Sequence, residues 1–435
     1  MLLIERQAIE PHLQSLRINP QRLRADFEAL SQIGSTGDGG VHRPSLGEAH
    51  LAARAWLEER IKAAGLAFSQ DGAGNQSATL HCAPTSAKTL LLGSHLDSVP
   101  NGGRFDGALG VLAALECLRT VKDAGLSLPV DLEAIDFTDE EGTLVGLLGS
   151  AALAGKLTLG QLHNPRGGRE ALLQGLARAG LSEETLLDAR RDPTTVAGYL
   201  ELHIEQGPRL VKAGADIGVV TTIVGIASYH LTFTGRADHA GTTPMADRLD
   251  AAQGASAFTL AVRQIVLDEF PGCVANVGSM QLSPGAFNIV PSRADVSLEF
   301  RAPDAGDFKR LEAALLERAY AEAERFNLGL EIEFLGRHQP APMSQDVQNY
   351  VREAADTLGL KSLPLASGAG HDAQSLADIC PAGMLFLPSI EGASHSPREY
   401  SPWQDCLNGA NVLLQAALRL ATQGSNPIPD NRGKS

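Results

Sequence analysis

Residues 89–125, TLLLGSHLDSVPNGGRFDGALGVLAALECLRTVKDAG, join a short apolar run to a helical segment through a glycine-rich loop. The run TLLLGSH has the length and composition of a buried strand, and residues 107–125 have those of a helix. Further apolar runs at 130–137 and 383–389 alternate with helical segments. This alternation predicts an α/β core, with a mixed or parallel sheet flanked by helices.

The composition of the 435 residues describes an ordinary globular protein of two domains, with 43% hydrophobic and 20% charged residues. The formal net charge of −15 argues against a nucleic-acid partner or an anionic membrane surface, since both require concentrated positive charge. The five cysteines are widely spaced and form no CxxC pair, which fits a reducing compartment. The apolar run that opens the chain is only four residues long, so we expect no signal peptide and a cytoplasmic location.

Candidate metal ligands occur at four separate places in the chain. The stretches are GSHLDSVPNGGRFDG (93–107), DFTDEEG (136–142), ELHIEQG (201–207) and GASHSP (392–397), and the candidates are His95, Asp106, Glu141, His203 and His395. The set contains only imidazoles and carboxylates, which suits Zn²⁺ or Mn²⁺ better than Cu(I) or an iron–sulfur cluster. Most of these residues follow predicted strands, and open α/β folds build their sites at the carboxyl ends of strands.

The glycine-rich loop after the first strand suggests distinct roles for its polar residues. Asp97 lies two residues after His95, so in an extended segment its carboxylate can accept the second imidazole N–H. Asp106 ends the loop, and a carboxylate is the side chain that can bridge two cations. We therefore expect Asp97 to orient the histidine, and Asp106 is able to bridge two cations.

Two adjacent glutamates and one further histidine complete the expected chemistry. We assign Glu141 as a ligand and Glu140 as the general base, because a bound metal lowers the pKa of water toward roughly 7 and a nearby carboxylate can then take its proton. His239, in the tight turn GRADHAGTTPMADR, is suited to stabilising an oxyanion. Nucleophilic and nucleotide-binding alternatives have little support, because the chain has no GxSxG, P-loop or GxGxxG pattern.

A block of different character interrupts the α/β pattern. Residues 216–334 are predicted in the order β-α-β-β-α-β, which is that of a ferredoxin-like α+β sandwich. We therefore expect a discontinuous catalytic domain, made of residues 1–215 and 335–435, with this inserted domain acting as a lid or a dimerisation surface.

Six stretches together resemble the M20 metallopeptidase-like family over about residues 20 to 420. They are GSHLDSVPNGGRFDGALGVLA, FTDEEG, ELHIEQGP, GRADHAGTTPM, SGAGHDAQ (367–374) and GASHSPREY. More narrowly, they are similar to the amidase branch of that family, the hydantoinase/carbamoylase enzymes. This branch contains the N-carbamoyl-L-amino-acid hydrolases, β-ureidopropionase and allantoate amidohydrolase.

The resemblance implies two divalent ions per subunit, either Zn²⁺ or Mn²⁺, with Co²⁺ or Ni²⁺ as further possibilities. His95, His203 and Asp106 would hold one ion, and Glu141, His395 and the same Asp106 would hold the other. Peptidase relatives tend to have a carboxylate at the position of His203, so the histidine favours the amidase branch.

The resemblance also implies substrate contacts and an assembly. The residues that match substrate-binding positions are Gln206, Asn288, Arg301, Gly370 and His371. Arg301 predicts a free carboxylate on the substrate, because a guanidinium pairs with a carboxylate through two hydrogen bonds. The inserted domain would form a homodimer and move on substrate binding, and His239 would act on the partner subunit's site. Glu299 departs from the aspartate usual before this arginine.

The expected function is hydrolysis of the ureido C–N bond of an N-carbamoyl-L-amino acid or a related ureido acid, releasing amine, ammonia and carbon dioxide. A dipeptidase or an N-acyl-amino-acid deacylase on the same scaffold stays open as an alternative. A metal-free binding protein that kept the fold is a third. The sequence does not choose among N-carbamoyl amino acids, ureidopropionate and allantoate.

Overall fold

The computed structural model describes residues 13–84 and 88–423, so the apolar run that opens the chain lies outside the described residues. The chain divides into two compact units. The larger contains the chain up to Thr221, Met343–Leu365 and the chain from His371 onward. The smaller contains Thr222–Pro342 and Ala366–Gly370.

The strands, in chain order, are β1 (Ala67–Gln70), β2 (Gln76–Leu80), β3 (Thr89–His95), β4 (Asp131–Phe137), β5 (Val196–Ile204), β6 (Ile217–Ile223), β7 (Gly225–Thr234), β8 (Val274–Ser283), β9 (Arg293–Ala302), β10 (Gly329–His338), β11 (Ala341–Pro342), β12 (Ser362–Ser367) and β13 (Ala382–Leu387). The α-helices are α1 (Pro20–Leu30), α2 (Glu48–Ala63), α3 (Ala108–Asp123), α4 (Leu148–Leu153), α5 (Leu159–His163), α6 (Arg169–Ala179), α7 (Glu183–Asp188), α8 (Arg209–Ala213), α9 (Ala251–Glu269), α10 (Ala305–Arg325), α11 (Gln345–Thr357), α12 (Asp372–Leu376) and α13 (Trp403–Gln423).

The sheet of the larger unit has the strand order β1-β2-β4-β3-β5-β13-β6, and β12 also pairs with β6. Its four central strands, β4, β3, β5 and β13, run parallel to one another. Strands β1, β2 and β6 pair antiparallel. The predicted mixed sheet is thus confirmed, and the carboxyl ends of its four parallel strands lie at one edge.

Helix α3 lies at the centre of the larger unit's core. It packs against β3, β4 and β5 on one side and against α13 on the other. Its sequence, ALGVLAALECLRTVKD, is apolar on nearly all sides, as expected for a helix surrounded by protein. Among the described residues, no helix combines the length and the apolar character needed to cross a lipid bilayer.

The smaller unit is a four-stranded antiparallel sheet with helices α9 and α10 packed against it. Its strand order, β10-β7-β9-β8, is that of the split β-α-β units of a ferredoxin-like sandwich, so the predicted β-α-β-β-α-β order is present. Its core contains Phe233, Phe258, Phe300 and Phe308, all fully buried.

The chain passes between the two units at different residues from the boundaries expected at 216 and 334. The segment 215–235 forms two strands, separated at Val224. Strand β6 pairs with β13 through Gly218 and Val219, which places it in the sheet of the larger unit. At the other end, β10 pairs with β7 as far as His338, so the smaller unit extends to Pro342.

Candidate metal centre

The ends of the four parallel strands position the candidate ligands of the larger unit. His95 is the last residue of β3, and His203 is the last but one of β5. Glu141 lies in the turn after β4, and His395 lies in the loop after β13. Because these strands are parallel neighbours in the sheet, four segments that are distant in sequence converge at one edge.

The first group of candidate ligands consists of His95, Asp106 and His203, and all three are buried. Asp106 Oδ1 lies 3.0 Å from His203 Nε2 and 3.6 Å from His95 Nε2. One atom of each residue falls within 4.8 Å of the others. Gly107 has to lack a side chain, because a Cβ at that position would overlap the imidazole of His95.

The second group consists of Asp106, Glu141 and His395. His395 Nε2 lies 3.5 Å from Asp106 Oδ2 and 3.4 Å from Glu141 Oε2. The imidazole of His395 is half exposed, whereas the two carboxylates are buried. Asp106 therefore presents one oxygen to each group, which is the arrangement that a carboxylate bridging two cations requires.

The chemistry of these five side chains fits a divalent metal ion. Three imidazoles and two carboxylates supply nitrogen and oxygen donors without a thiolate, as Zn²⁺ and Mn²⁺ sites do. His95 Nε2 is fully buried and makes no hydrogen bond. Buried polar atoms rarely go without a partner, so this nitrogen is best explained as a ligand atom.

The charges of the first group are strongly coupled. Burial alone would lower the pKa of His203, but the charge and the hydrogen bond of Asp106 outweigh it and raise this pKa to about 9. Against the effect of burial, the same contact and two neighbouring histidines hold the pKa of Asp106 below its ordinary value. Burial lowers the pKa of His95 to about 4 despite the nearby Asp106. The carboxylate of Asp106 thus favours a positive charge at His203, as it would favour a bound cation.

Glu140 is placed beside the first group rather than within it. One of its carboxylate oxygens lies 3.5 Å from His95 Nε2, and its side chain is almost entirely buried. Burial raises the pKa of Glu140 well above its usual value, and the nearby carboxylates of Glu141 and Asp372 raise it further. A carboxylate with a raised pKa is a stronger base than an exposed one, which suits the role predicted for Glu140.

Asp97 contacts His95 differently from the expected way. The imidazole Nδ1 of His95 is 3.1 Å from the backbone carbonyl of Asp97, whereas the nearer carboxylate oxygen is 3.7 Å away. That carboxylate instead accepts the backbone N–H groups of Glu140 and Glu141, at 3.3 and 3.2 Å. The extended geometry after β3 directs the carboxylate toward the neighbouring strand, so Asp97 holds the turn that carries both glutamates.

Several residues other than glycine in the loops around the site have left-handed backbone conformations. Among them are Asp139 with φ 59°, Gln206 with φ 56° and His395 with φ 52°. Such conformations are uncommon in residues with a Cβ, and they cluster at functional sites when the surrounding structure holds them. Each follows one of the parallel strands, where the chain turns sharply at the sheet edge.

Two residues expected to contact substrate also contact the candidate ligands. The side-chain amide of Gln206 donates to Asp106 Oδ2 at 2.8 Å. The ring of His371 is buried and lies edge-on against the ring of His203, with 4.6 Å between centroids. Burial lowers the pKa of His371 well below its usual value, and the charge of His203 adds to this.

The remaining predicted residues belong to the smaller unit. His239 is exposed, and its ring accepts a hydrogen bond from the N–H of Gly241. The backbone N–H of Ala240 donates to the carbonyl of Asn288, so the segments that carry His239 and Asn288 are neighbours. The guanidinium of Arg301 donates to Glu299 at 2.8 and 3.0 Å and to the carbonyl of Gly368 at 2.7 Å. Arg301 is thus held beside the loop that ends at Gly370.

Two polar residues that contact the candidate ligands are not among those predicted from the sequence. Ser394 Oγ lies 2.9 Å from Asp106 Oδ2, and Glu399 Oε1 accepts the backbone N–H of Asp106 at 3.0 Å. Both lie in the stretch GASHSPREY, within four residues of His395. Their proximity to that histidine was the available signal, but a serine and a glutamate in a polar loop are usually solvated.

Comparisons with known proteins agree with this arrangement. Peptidase family M20/M25/M40 matches residues 91–419. The N-carbamoyl-L-amino acid amidohydrolase of Geobacillus stearothermophilus is 37% identical over 406 residues, which cover 93% of this chain and 99% of that protein. The allantoate amidohydrolase of Bacillus subtilis (strain 168) is 31% identical over 401 residues, covering 91% and 96%.

A solved structure extends the agreement to the fold. The hydantoinase/carbamoylase family amidase of Burkholderia multivorans has a TM-score of 0.85 and 35% identity, covering 94% of this chain and 99% of that one. The predicted resemblance is thereby confirmed by sequence and by structure. From the match over residues 91–419 and the similarity to these relatives over more than nine-tenths of its length, the chain belongs to peptidase family M20/M25/M40.

Proposed function

We propose that this protein hydrolyses the ureido C–N bond of N-carbamoyl-L-amino acids or of related ureido acids, with two divalent ions at the candidate metal centre. The observation that carries the proposal is the pair of ligand groups that share Asp106. The choice of substrate class rests on the relatives named for N-carbamoyl-L-amino acids and for allantoate, which resemble this chain along almost its entire length.

The two ions would be held by the residues already described. His95 and His203 would bind one, Glu141 and His395 the other, and Asp106 both. Zn²⁺ and Mn²⁺ fit this donor set best, and Co²⁺ and Ni²⁺ are accepted by the same atoms. When bound, such ions lower the pKa of a water and polarise a carbonyl oxygen.

Glu140 is the group that moves the proton. Its buried carboxylate, beside the first ligand group, takes the proton of the attacking water and later delivers it to the leaving nitrogen. Asp97 fixes the direction of this carboxylate, because it accepts the backbone N–H of Glu140 and of Glu141. Attack of the water on the carbamoyl carbon breaks its bond to the amino nitrogen, so the amino acid and carbamic acid are released. Carbamic acid then decomposes to carbon dioxide and ammonia.

Recognition of the substrate is assigned to residues outside the two ligand groups. Arg301 binds the free carboxylate of the substrate through two hydrogen bonds, in competition with Glu299, its present partner. His239 stabilises the oxyanion. Asn288, Gly370, Gln206 and His371 are proposed as further substrate contacts.

A homodimer and a cytoplasmic location are also proposed. Exposed apolar side chains on the helices of the smaller unit, Leu260 at 77% and Leu267 at 58% exposure, support a surface that a second copy covers. Light scattering of the purified protein tests the dimer, because a single chain has a mass of 45.8 kDa and a dimer twice that. Cell fractionation tests the location.

A screen of ammonia release tests the proposed reaction. The metal-free protein is supplied separately with Mn²⁺, Zn²⁺, Co²⁺ or Ni²⁺ and then with N-carbamoyl-L-amino acids, ureidopropionate or allantoate. We expect metal-dependent release of ammonia from at least one of these acids. Dipeptides and N-acetyl-amino acids serve as competing substrates in the same assay.

The competing substrates separate the proposal from its alternatives. Cleavage of dipeptides without ammonia release would identify a dipeptidase, and cleavage of N-acetyl-amino acids would identify a deacylase. If no divalent metal binds and no amide is cleaved, the protein is a binding protein that kept the fold.

A further inference from the structure

The loop that carries Asp106 and the loop that carries His395 are joined by one buried glutamate. Glu399 is 4% exposed, and its Oε1 accepts the backbone N–H groups of Phe105 and Asp106, at 2.9 and 3.0 Å. Its Oε2 lies 3.0 Å from the hydroxyl of Ser394, in its own loop. Both oxygens of this carboxylate are therefore engaged, one in each of the two loops.

The same contacts reach the shared carboxylate itself. The hydroxyl of Ser394 lies 2.9 Å from Asp106 Oδ2, the oxygen that faces the second ligand group. Gln206 donates to this oxygen and also lies 3.3 Å from the Ser394 hydroxyl. Glu399 thus fixes the backbone of Asp106 directly, and it lies against Ser394, whose hydroxyl is beside the side chain of Asp106.

Gly103 provides independent evidence that the place of the Glu399 carboxylate is specified. A Cβ added at Gly103 would overlap the carboxylate carbon and both oxygens of Glu399. Gly103 does not have a positive φ, so its backbone conformation is open to alanine. The lack of a side chain at this position is explained by the space that Glu399 occupies.

From these contacts we infer that Glu399 is a positioning residue, which sets Asp106 between the two ligand groups so that one oxygen faces each ion. This inference rests on the proposed function, because it assumes that Asp106 ligates divalent ions. Glu399 touches neither substrate nor the reacting atoms in this assignment. It acts through Asp106 and Ser394.

The test is the affinity of metal-free protein for Mn²⁺ or Zn²⁺, measured by titration calorimetry, with the number of ions per chain from elemental analysis. Glu399→Ala removes both acceptors, and we expect it to weaken binding by about 10–100-fold, as the loss of groups that orient metal ligands does. Glu399→Gln retains an oxygen for the two N–H groups and gains an amide donor for Ser394. We expect this variant to bind with nearly the wild-type affinity.

A second variant keeps the test decisive if Glu399→Ala fails to fold. Gly103→Ala leaves Glu399 in the chain but displaces its carboxylate, so it is expected to weaken metal binding in the same direction. In the Glu399→Ala background, Gly103→Ala is expected to add little, because the carboxylate that it displaces is gone. Asp304→Ala is a matched control, because Asp304 Oδ1 also accepts two backbone N–H groups, in the smaller unit.

The outcomes separate this inference from the proposed function. Wild-type metal affinity in Glu399→Ala, or equal losses in Glu399→Gln and Glu399→Ala, overturns the positioning role while the wild type still binds metal and hydrolyses ureido acids. Full additivity of the two alanine variants overturns it as well. Absence of metal binding in the wild type overturns the proposed function and this inference together.

Discussion

The candidate groups of the two units differ in how they are held. In the larger unit, His95, Asp106 and His203 are buried and lie in contact with one another at the end of a parallel sheet. In the smaller unit, His239 and Asn288 are exposed, and Arg301 is about one-third exposed. The difference separates a buried group of candidate metal ligands in one unit from solvent-accessible side chains, proposed as substrate contacts, in the other.

The largest effect is expected from a substitution in the larger unit that lowers the catalytic rate without changing the metal content. Glu140→Gln keeps the shape of the side chain but removes the base, and general acid–base groups contribute about 10²–10⁴ in rate, so kcat is expected to fall by that factor. Metal content, measured by elemental analysis, is expected to stay unchanged. Glu184→Gln, on the exposed surface of α7, is the matched control.

Retention of activity in Glu140→Gln would assign the proton transfer to another group. Loss of the metal together with the activity would instead make Glu140 a ligand.

The second effect is the pH dependence of metal binding. Because the pKa of His203 is raised to about 9, its ring is protonated at neutral pH in the metal-free protein, and an ion has to displace that proton. The apparent metal affinity is therefore expected to rise about tenfold per pH unit between pH 6 and 8, for one proton released. Calorimetry in buffers of different ionisation enthalpy measures that proton directly.

The raised pKa of His203 also determines whether the stability of the metal-free protein rises or falls with pH. The folded-state pKa of His203 lies above the unfolded value of about 6.5. The stabilisation by its pair with Asp106 is therefore fully present below about pH 6.5, and it is lost as the pH rises through about 9. A metal affinity that does not change with pH would contradict the prediction that His203, paired with Asp106, is protonated in the metal-free protein.

The third effect belongs to the smaller unit and should leave the metal untouched. Arg301→Ala removes a charged partner of the substrate carboxylate, worth about 1.5–3 kcal/mol, so KM is expected to rise about 10–100-fold. The KM of Arg301→Lys is expected to lie between those of the wild type and Arg301→Ala, since lysine cannot form the bidentate pair. Arg293→Ala is a matched control, because Arg293 pairs with Asp295 on the same strand as Arg301 pairs with Glu299.

A fall in kcat without a change of KM in Arg301→Ala would remove Arg301 from substrate binding. A loss of metal in that variant would contradict the division of roles between the two units.

The smallest effect concerns the surface of the smaller unit. Leu260→Ser replaces a side chain that is 77% exposed, so the free energy of unfolding of the monomer is expected to change by no more than about 0.5 kcal/mol. If α9 forms part of a homodimer interface, the same substitution weakens self-association, which sedimentation measures. Unchanged self-association would place the interface elsewhere.

Much of this arrangement could be predicted from the sequence, because residues at the carboxyl ends of parallel strands must lie at the same edge of the sheet. The apolar runs before His95, Glu141 and His395 fix three strands, and parallel strands bring their ends to one edge. The order of the smaller unit followed from alternating strand and helix patterns in the same way.

The contacts that depend on loop conformation could not be predicted. Asp97 directs its carboxylate to the Glu140–Glu141 turn rather than to His95 because of how the chain leaves β3. Glu399 reaches Asp106 only because the loop after β13 folds back with His395 in a left-handed conformation. Nor could the break at Val224 be seen, because the residues on both sides of it form extended strands.

The most direct test of the central claim, that two ligand groups sharing Asp106 hold two ions for ureido hydrolysis, is a metal titration of the metal-free protein. Ammonia release from an N-carbamoyl-L-amino acid is followed at each addition, for the wild type and for Asp106→Asn. We predict that wild-type activity reaches its full value at two ions per chain, and that Asp106→Asn loses both the tight binding and the activity. Full activity after chelation of all metal, or an Asp106→Asn variant that binds two ions and remains active, would contradict the account.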